Sequence, residues 1–393
     1  MLRKKVLRVC HKFLTSDDGY DLDIQDLCKS TSDCFINYVF TYIDISTKEY
    51  VRKKNLLKRG DYYYHKKLRT YIIPIEYKKR YHVYLKDFYL WYNIKLFSEE
   101  YKKIFNKIEP DIVHIHGTLL PQFIYAAILA RNKCKVIASH HIGLINTNYR
   151  KQKFHILILK YIMHNIFPLC SDKLLCVSNY GKKSFNFFKS NIDVINPVPN
   201  IPKNNPSNFK RIFDKNVLCN KFQIDGDDKL FCCVGRISRQ KNQLNQIKAF
   251  NNIISKNPKY KLIIVRDSAD DSYYNLITEE LRKYLNNYCL IKGADHAEVL
   301  KVIEYSDYLL SVTLNEGLSR VAMEGQALGK PVIASKDSGY EDFINDGGNG
   351  LLVDPDNVEE IKRAIININK IKNSVKHSHR VYIDKMIKIY EGG

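Results

Sequence analysis

Five short apolar runs in the second half of the chain limit what it can fold into: LFCCV at 230–234, KLIIV at 261–265, YLLSV at 308–312, PVIAS at 331–335 and GLLV at 350–353. Each is too short for a helix of ordinary length and almost unbroken by polar residues, so each reads as a strand buried on both faces. Between them lie stretches with helical apolar spacing, such as Asn242 to Ile254. Strand alternating with helix calls for a parallel sheet covered by helices on both sides.

The first half repeats the rhythm. Strands are expected at Val6–Cys10, Tyr38–Ile43, Ile112–Ile115, Lys135–Ser139 and Lys173–Val177, and helices near 21–30, 86–107, 121–132, 150–166 and 179–189. From Ile195 to Pro206, four prolines and four asparagines form a stiff polar connector. A chain of 393 residues, 45% of them apolar, can bury two cores of ordinary domain size. The expected architecture is two Rossmann-like, doubly wound parallel-sheet α/β domains facing across a cleft, at 1–198 and 199–372, with a last helical segment at 373–393.

Two clusters carry chemistry. In NEGLSRVAMEG, Glu316 and Glu324 stand eight apart around the start of a helix that Ser319 caps and Gly329 with Pro331 ends. The amides of Gly317, Leu318 and Ser319 fall at or just before that helix start, where unpaired N–H groups and the helix dipole favour an anion such as a diphosphate. The carboxylates, one in the loop and one inside the helix, suit the vicinal hydroxyls of a sugar and a ribose. Upstream, LFCCV runs into Gly235, Arg236 and Lys241, so two cations project from the end of a strand, where ligands bind in open α/β sheets. A planar guanidinium fork and a mobile ammonium both stabilise a leaving group that gathers negative charge.

These segments resemble family 4 glycosyltransferases of the GT-B fold (glycosyl transferases group 1), whose C-terminal domain carries a V-G-R…K loop and an E-x7-E motif. Here the matching residues are Val234, Gly235, Arg236 and Lys241, then Glu316 and Glu324. The likeness continues through Gly329 to Ala334, Gly339, Glu341 and Asn349 to Val353. The resemblance implies the GT-B arrangement, a last helix crossing back to the first domain, and transfer from a nucleoside-diphosphate sugar with retention at the anomeric carbon. Arg236 and Lys241 would act on the departing phosphate, Glu316 would position the sugar, and Gly235, Gly317, Leu318, Ser319 and Glu324 would bind the donor. His141 in VIASHHIG matches a first-domain histidine that faces the donor sugar, with His140 as the register alternative. Front-face attack assisted by the departing phosphate is the implied mechanism, and no metal or other cofactor is expected. The pairs His114/His116 and His140/His141 sit at strand ends without the spacing or carboxylate of a zinc site.

Some positions depart from the family pattern. The loop after the first strand has Gly19 preceded by Asp18 where two glycines are common, and a carboxylate there would repel phosphate, so Asp18 and Gly19 are assigned to an acceptor or phosphate loop. Arg266, Asp267 and Ser268 replace a glycine-rich turn.

Charge bears on the acceptor. The formal net charge is +21, and residues 52–107 hold 16 Lys or Arg against 5 Asp or Glu, interleaved with ten tyrosines and Trp91. Such a segment suits an anionic membrane surface and a lipid-linked or glycan acceptor, and Phe154–Phe167 offers either an amphipathic docking face or a core helix. Ten cysteines without a C-x-x-C pair read as reduced thiols in a cytoplasmic setting. No uncharged apolar run reaches the roughly 18–20 residues of a membrane span, so a soluble or peripheral protein is expected. Other readings are a GT-B sugar-nucleotide epimerase, an inactive sugar-nucleotide-binding relative and, more remotely, a basic nucleic-acid-binding protein, for which no recognition signature is present.

Overall fold

The computed structural model describes residues 3–11, 13–14, 19–43, 45–76, 86–118, 120–141, 165–185, 191–201, 224–266, 270–371 and 378–392. The chain forms two compact units, Met1–Pro197 with His379–Gly393, and Val198–Ser378.

The second unit holds six parallel strands, β10 (Lys229–Val234), β11 (Tyr260–Arg266), β12 (Tyr288–Lys292), β13 (Tyr308–Ser311), β14 (Val332–Ser335) and β15 (Gly350–Val353), in the order β12-β11-β10-β13-β14-β15. Alternate residues along each strand enter opposite cores. Phe231, Cys233, Leu262, Ile264 and Ile333 pack on one face, and Leu230, Cys232, Ile263, Val265, Val332 and Ala334 on the other. Burial on both faces is why these runs carry no polar alternation. The strand order reverses between β10 and β13, and a doubly wound sheet opens a crevice beyond the carboxyl ends of the strands at such a point. The loops that leave β10 and β13 carry the two motifs.

The first unit is built on the same plan with an added edge. Strands β1 (Lys4–Cys10), β2 (Phe35–Ile43), β3 (Leu57–Arg59), β4 (Tyr62–His65), β5 (Thr70–Glu76), β6 (Ile112–His116), β7 (Lys135–His140), β8 (Lys173–Cys176) and β9 (Ile192–Val194) form one sheet in the order β3-β4-β5-β2-β1-β6-β7-β8-β9. All pairings are parallel except β3 with β4 and β4 with β5. The parallel sheet expected from the sequence is present, and the Tyr-rich basic stretch adds an antiparallel hairpin at its edge. Pro74 sits inside β5 and is tolerated because β4 pairs only as far as Ile72. Helix Asn179–Lys182 is shorter than the expected 179–189, and the expected helix at 150–166 falls mostly outside the described residues.

Several aromatic side chains of the basic segment are engaged within the fold. Tyr38 and Tyr71 stack at 5.1 Å, Tyr62 meets Tyr38 edge-on at 5.6 Å, and Arg59 lies 4.1 Å over Tyr64. Helix Lys86–Ile108 buries Phe97, Tyr101 and Phe105 in the core.

Arg8 on β1 is fully buried. It donates to Tyr390 Oη at 2.5 Å, His114 Nδ1 at 3.2 Å, Thr31 Oγ1 at 3.2 Å and Asn37 Oδ1 at 3.0 Å. Among the described residues no carboxylate contacts it, so dipoles alone solvate the charge. A guanidinium only donates, so His114 Nδ1 must accept; Tyr390 Oη, 2.7 Å away, gives it a second proton donor. His114 therefore carries its proton on Nε2 and donates to Ser139 Oγ at 2.7 Å. Tyr390 belongs to the C-terminal helix His379–Glu391, which packs in this unit. Removing its hydroxyl leaves a buried cation short of an acceptor, a loss of roughly 1–3 kcal/mol. Tyr390→Phe should lower unfolding free energy by about that amount in urea titration, while a surface change such as Arg380→Gln should leave it within about 0.5 kcal/mol.

Candidate functional site

The loop after β10 starts at Gly235, whose φ of +143° suits glycine. A Cβ there would rest 3.6 Å from Lys241 Cε, so the lysine stem lies along the bare backbone. Ser238 caps a short 3-10 turn, Arg239–Lys241, and Asn242 takes the left-handed conformation at φ 52° before helix Gln243–Ile254 begins. Amide side chains pin this loop. Gln243 Nε2 donates to Arg236 O at 2.8 Å, while Gln246 Nε2 donates to Lys241 O at 2.8 Å and to Val312 O at 3.1 Å. Leu314 N–H donates to Gln240 O at 2.7 Å, so the loops from β10 and β13 are tied directly.

The second loop is shaped by close approach. Asn315 is left-handed at φ 55°, and Glu316 O accepts from Gly339 N–H at 2.9 Å. A Cβ on Gly339 would fall 1.7 Å from Gly317 O, so only glycine fits there. With both loops fixed, Lys241 Nζ meets Glu316 Oε2 at 2.7 Å. Burial acts against the Lys241 charge, but Glu316 and Tyr340 outweigh it and hold its pKa above the ordinary value. Tyr340 is fully buried beneath, with its hydroxyl 2.7 Å from Ser311 Oγ and 3.2 Å from Thr313 Oγ1. The Arg236 side chain is exposed.

Ser319 caps helix Arg320–Ala327, accepting from Ala322 N–H at 3.3 Å, as its sequence position leads one to expect. Among the described residues, no hydrogen bond leaves the N–H groups of Gly317, Leu318 or Ser319. Three amides at the start of a helix, beside a lysine, form a site suited to an anion.

Glu324 lies inside the helix and is 1% exposed. Its Oε1 accepts from Arg320 Nε at 2.9 Å and lies 2.7 Å from His296 Nε2. Neither partner follows from motif spacing. Arg320 stands one helical turn before Glu324, a signal readable from sequence, but His296 comes from the start of another helix, His296–Tyr305, and only the fold reveals it. Tyr340 is likewise missed, although it follows Gly339.

In the first unit, His141 follows β7 and lies 3.3 Å from His116 Nδ1 through its Nε2, with Tyr20 edge-on at 5.0 Å. Tyr20 Oη donates to His116 O at 2.7 Å. His140 points instead into the interior, its Nδ1 2.8 Å from Thr118 Oγ1 and its ring edge-on to Phe185. His114, His116, Ser139 and His141 line one recess with Asp23 and Met386. Gly19 opens helix Gly19–Ser30, while Asp18, Asp267 and Ser268 lie outside the described residues. Arg266 stacks over Tyr274 at 4.5 Å.

Residues 214–383 match the family described as glycosyl transferases group 1, and residues 75–173 the family described as glycosyl transferase 4-like. An uncharacterised glycosyltransferase of Methanocaldococcus jannaschii is 27% identical, covering 72% of this chain and 71% of that protein. The UDP-Gal:α-D-GlcNAc-diphosphoundecaprenol α-1,3-galactosyltransferase of Escherichia coli is also 27% identical, covering 69% of each. Among solved structures, Anabaena HepE in complex with UDP and glucose superposes with a TM-score of 0.69 at 14% identity, covering 100% of both chains. The fold is thus that of the GT-B proteins.

Burial sets the charge state of the histidine cluster. It pushes His141 down to about 4 and, with Arg8 near His114 and His114 near His116, holds both of these well below the ordinary histidine range. All three are neutral in the fold at pH 7. Because their folded pKa values are depressed, their contribution to stability is fully present above the unfolded value of about 6.5 and is lost as pH falls toward 4, at up to about 1.4 kcal/mol per group per pH unit. The melting temperature should therefore fall between pH 7 and pH 4.5, and His141→Gln should flatten that dependence.

Proposed function

For a chain that belongs to the group 1 glycosyltransferases and carries their GT-B fold, we propose transfer of a sugar from a nucleoside-diphosphate sugar to a hydroxyl of a glycan or lipid-linked acceptor, with retention of anomeric configuration. The observation that carries this reading is the Lys241–Glu316 ion pair seated beside the Gly317–Ser319 amides. The diphosphate takes the amides and displaces Glu316 as the partner of Lys241, and Glu316 turns to the sugar hydroxyls. As the bond from the anomeric carbon to the phosphate oxygen breaks, negative charge grows on the diphosphate. Lys241 and the exposed Arg236 stabilise it, and the resulting oxocarbenium-like centre is captured on the same face by the acceptor oxygen. The acceptor proton passes to the departing phosphate, so no metal is required. Glu324 holds the ribose. Neutral His141 bonds a sugar hydroxyl, and Gly19, with Asp18, belongs to the acceptor side.

Similarity to the E. coli α-1,3-galactosyltransferase supports a UDP-sugar and a diphosphate-linked lipid acceptor in polysaccharide or glycolipid synthesis as the first pairing to test. A lipid-linked acceptor is met at the cytoplasmic membrane face, where the positive charge of residues 52–69 favours anionic headgroups; among the described residues no helix is long and apolar enough to cross a membrane.

Lys241→Ala should reduce kcat roughly 10²–10³-fold, the loss seen when one stabilising donor is removed, with a much smaller change in KM for the donor. Release of nucleoside diphosphate from a panel of nucleotide sugars, with a GlcNAc-diphospholipid acceptor, measures both constants. Equal losses in kcat and donor affinity would contradict the role given to Lys241. Activity that vanishes in EDTA and returns with magnesium would contradict metal independence.

A further inference from the structure

Among the described residues, both hydrogen-bonding partners of the Glu324 carboxylate converge on one of its oxygens. Arg320 Nε reaches Oε1 at 2.9 Å from one turn earlier on the same helix, and His296 Nε2 reaches the same Oε1 at 2.7 Å from a different element. Among the described residues, no hydrogen bond to Oε2 is present. A carboxylate 1% exposed needs compensation, and Arg320, itself 6% exposed, supplies the charge. His296 is not needed for that. Its ring is 26% exposed, with one nitrogen committed to the carboxylate. What a second donor from a second direction adds is orientation: the carboxylate can no longer rotate about its last bond, and Oε2 becomes a fixed acceptor.

We propose that His296 is a positioning residue that, with Arg320, fixes Glu324 so that Oε2 accepts from the ribose hydroxyls of the donor nucleotide, making His296 a determinant of selectivity for ribonucleotides over 2′-deoxyribonucleotides. The assignment rests on the donor site described under Proposed function. A vicinal diol offers two O–H donors, and a preset acceptor gains from both without an ordering cost at binding. A ligand that lacks the 2′-hydroxyl leaves that oxygen underused in a poorly hydrated place, the condition under which a missing hydroxyl is discriminated.

The test is calorimetric titration of the full chain with UDP, GDP and ADP and with the 2′-deoxy form of each. The wild type should bind one ribonucleotide at least ten-fold more tightly than its 2′-deoxy counterpart. His296→Ala should bring that ratio below about three-fold by weakening the ribonucleotide alone, and His296→Gln, whose amide N–H reaches as far as Nε2, should restore most of it. If His296→Ala does not fold, His296→Asn, too short to reach Oε1, carries the same expectation. Equal weakening of both forms, or an unchanged ratio, would overturn the assignment while leaving the donor site standing. Binding of none of the nucleotides by the wild type would overturn the donor site itself, and the assignment with it.

Discussion

The site rests on a steric constraint between two stretches of backbone. Gly339 lies so close to the carbonyl of Gly317 that a single methyl group there would overlap it, and the Gly339 N–H holds the Glu316 carbonyl. This contact sets the path of the chain between β13 and its following helix. With the path set, the left-handed turn at Asn315 brings the Glu316 carboxylate to Lys241, and among the described residues the three amides that follow have no partner. An opposite constraint acts from the β10 side, where Gly235 clears room for the lysine stem and the amides of Gln243 and Gln246 hold the loop from within. Lysine and amides are thus arranged before any ligand arrives, and only the Glu316 carboxylate has to turn, so the groups that face the anion need little reorganisation.

In the first unit the corresponding device is a buried charge. Arg8 is solvated by two ring systems, a hydroxyl and an amide rather than by a carboxylate, and the C-terminal helix supplies one of those groups through Tyr390. The arrangement orders the proton positions of Tyr390, His114 and Ser139 in one direction and keeps His114 uncharged. It also makes the last helix an integral part of this unit even though it follows the whole of the second unit in sequence.

Much of the sheet and part of the site were legible in the sequence, and the reasons are physical. Runs such as LFCCV and KLIIV have no alternation because both faces are covered, so their period alone marks them as interior strands of a parallel sheet. Ser319 is readable as a cap because its role is local. What was not legible depends on contacts between distant segments. The hairpin β3–β4 was hidden because YYYH shows no period of two and its tyrosines look like surface aromatics until Tyr62 and Tyr64 are seen packed against the stacked pair Tyr38 and Tyr71. β5 was hidden by Pro74, harmless only because its antiparallel neighbour stops short. β12, YCLIK, mixes polar and apolar residues at the edge of its sheet. His296 stands 28 residues from Glu324, and no local pattern marks it.

We propose that the amides of Gly317, Leu318 and Ser319 receive the diphosphate of a nucleotide sugar. Hydrogen–deuterium exchange of the intact chain, with and without saturating nucleoside diphosphate, tests it most directly. Exchange in peptides spanning 314–322 should slow on binding. Binding that leaves exchange across that segment unchanged would contradict it.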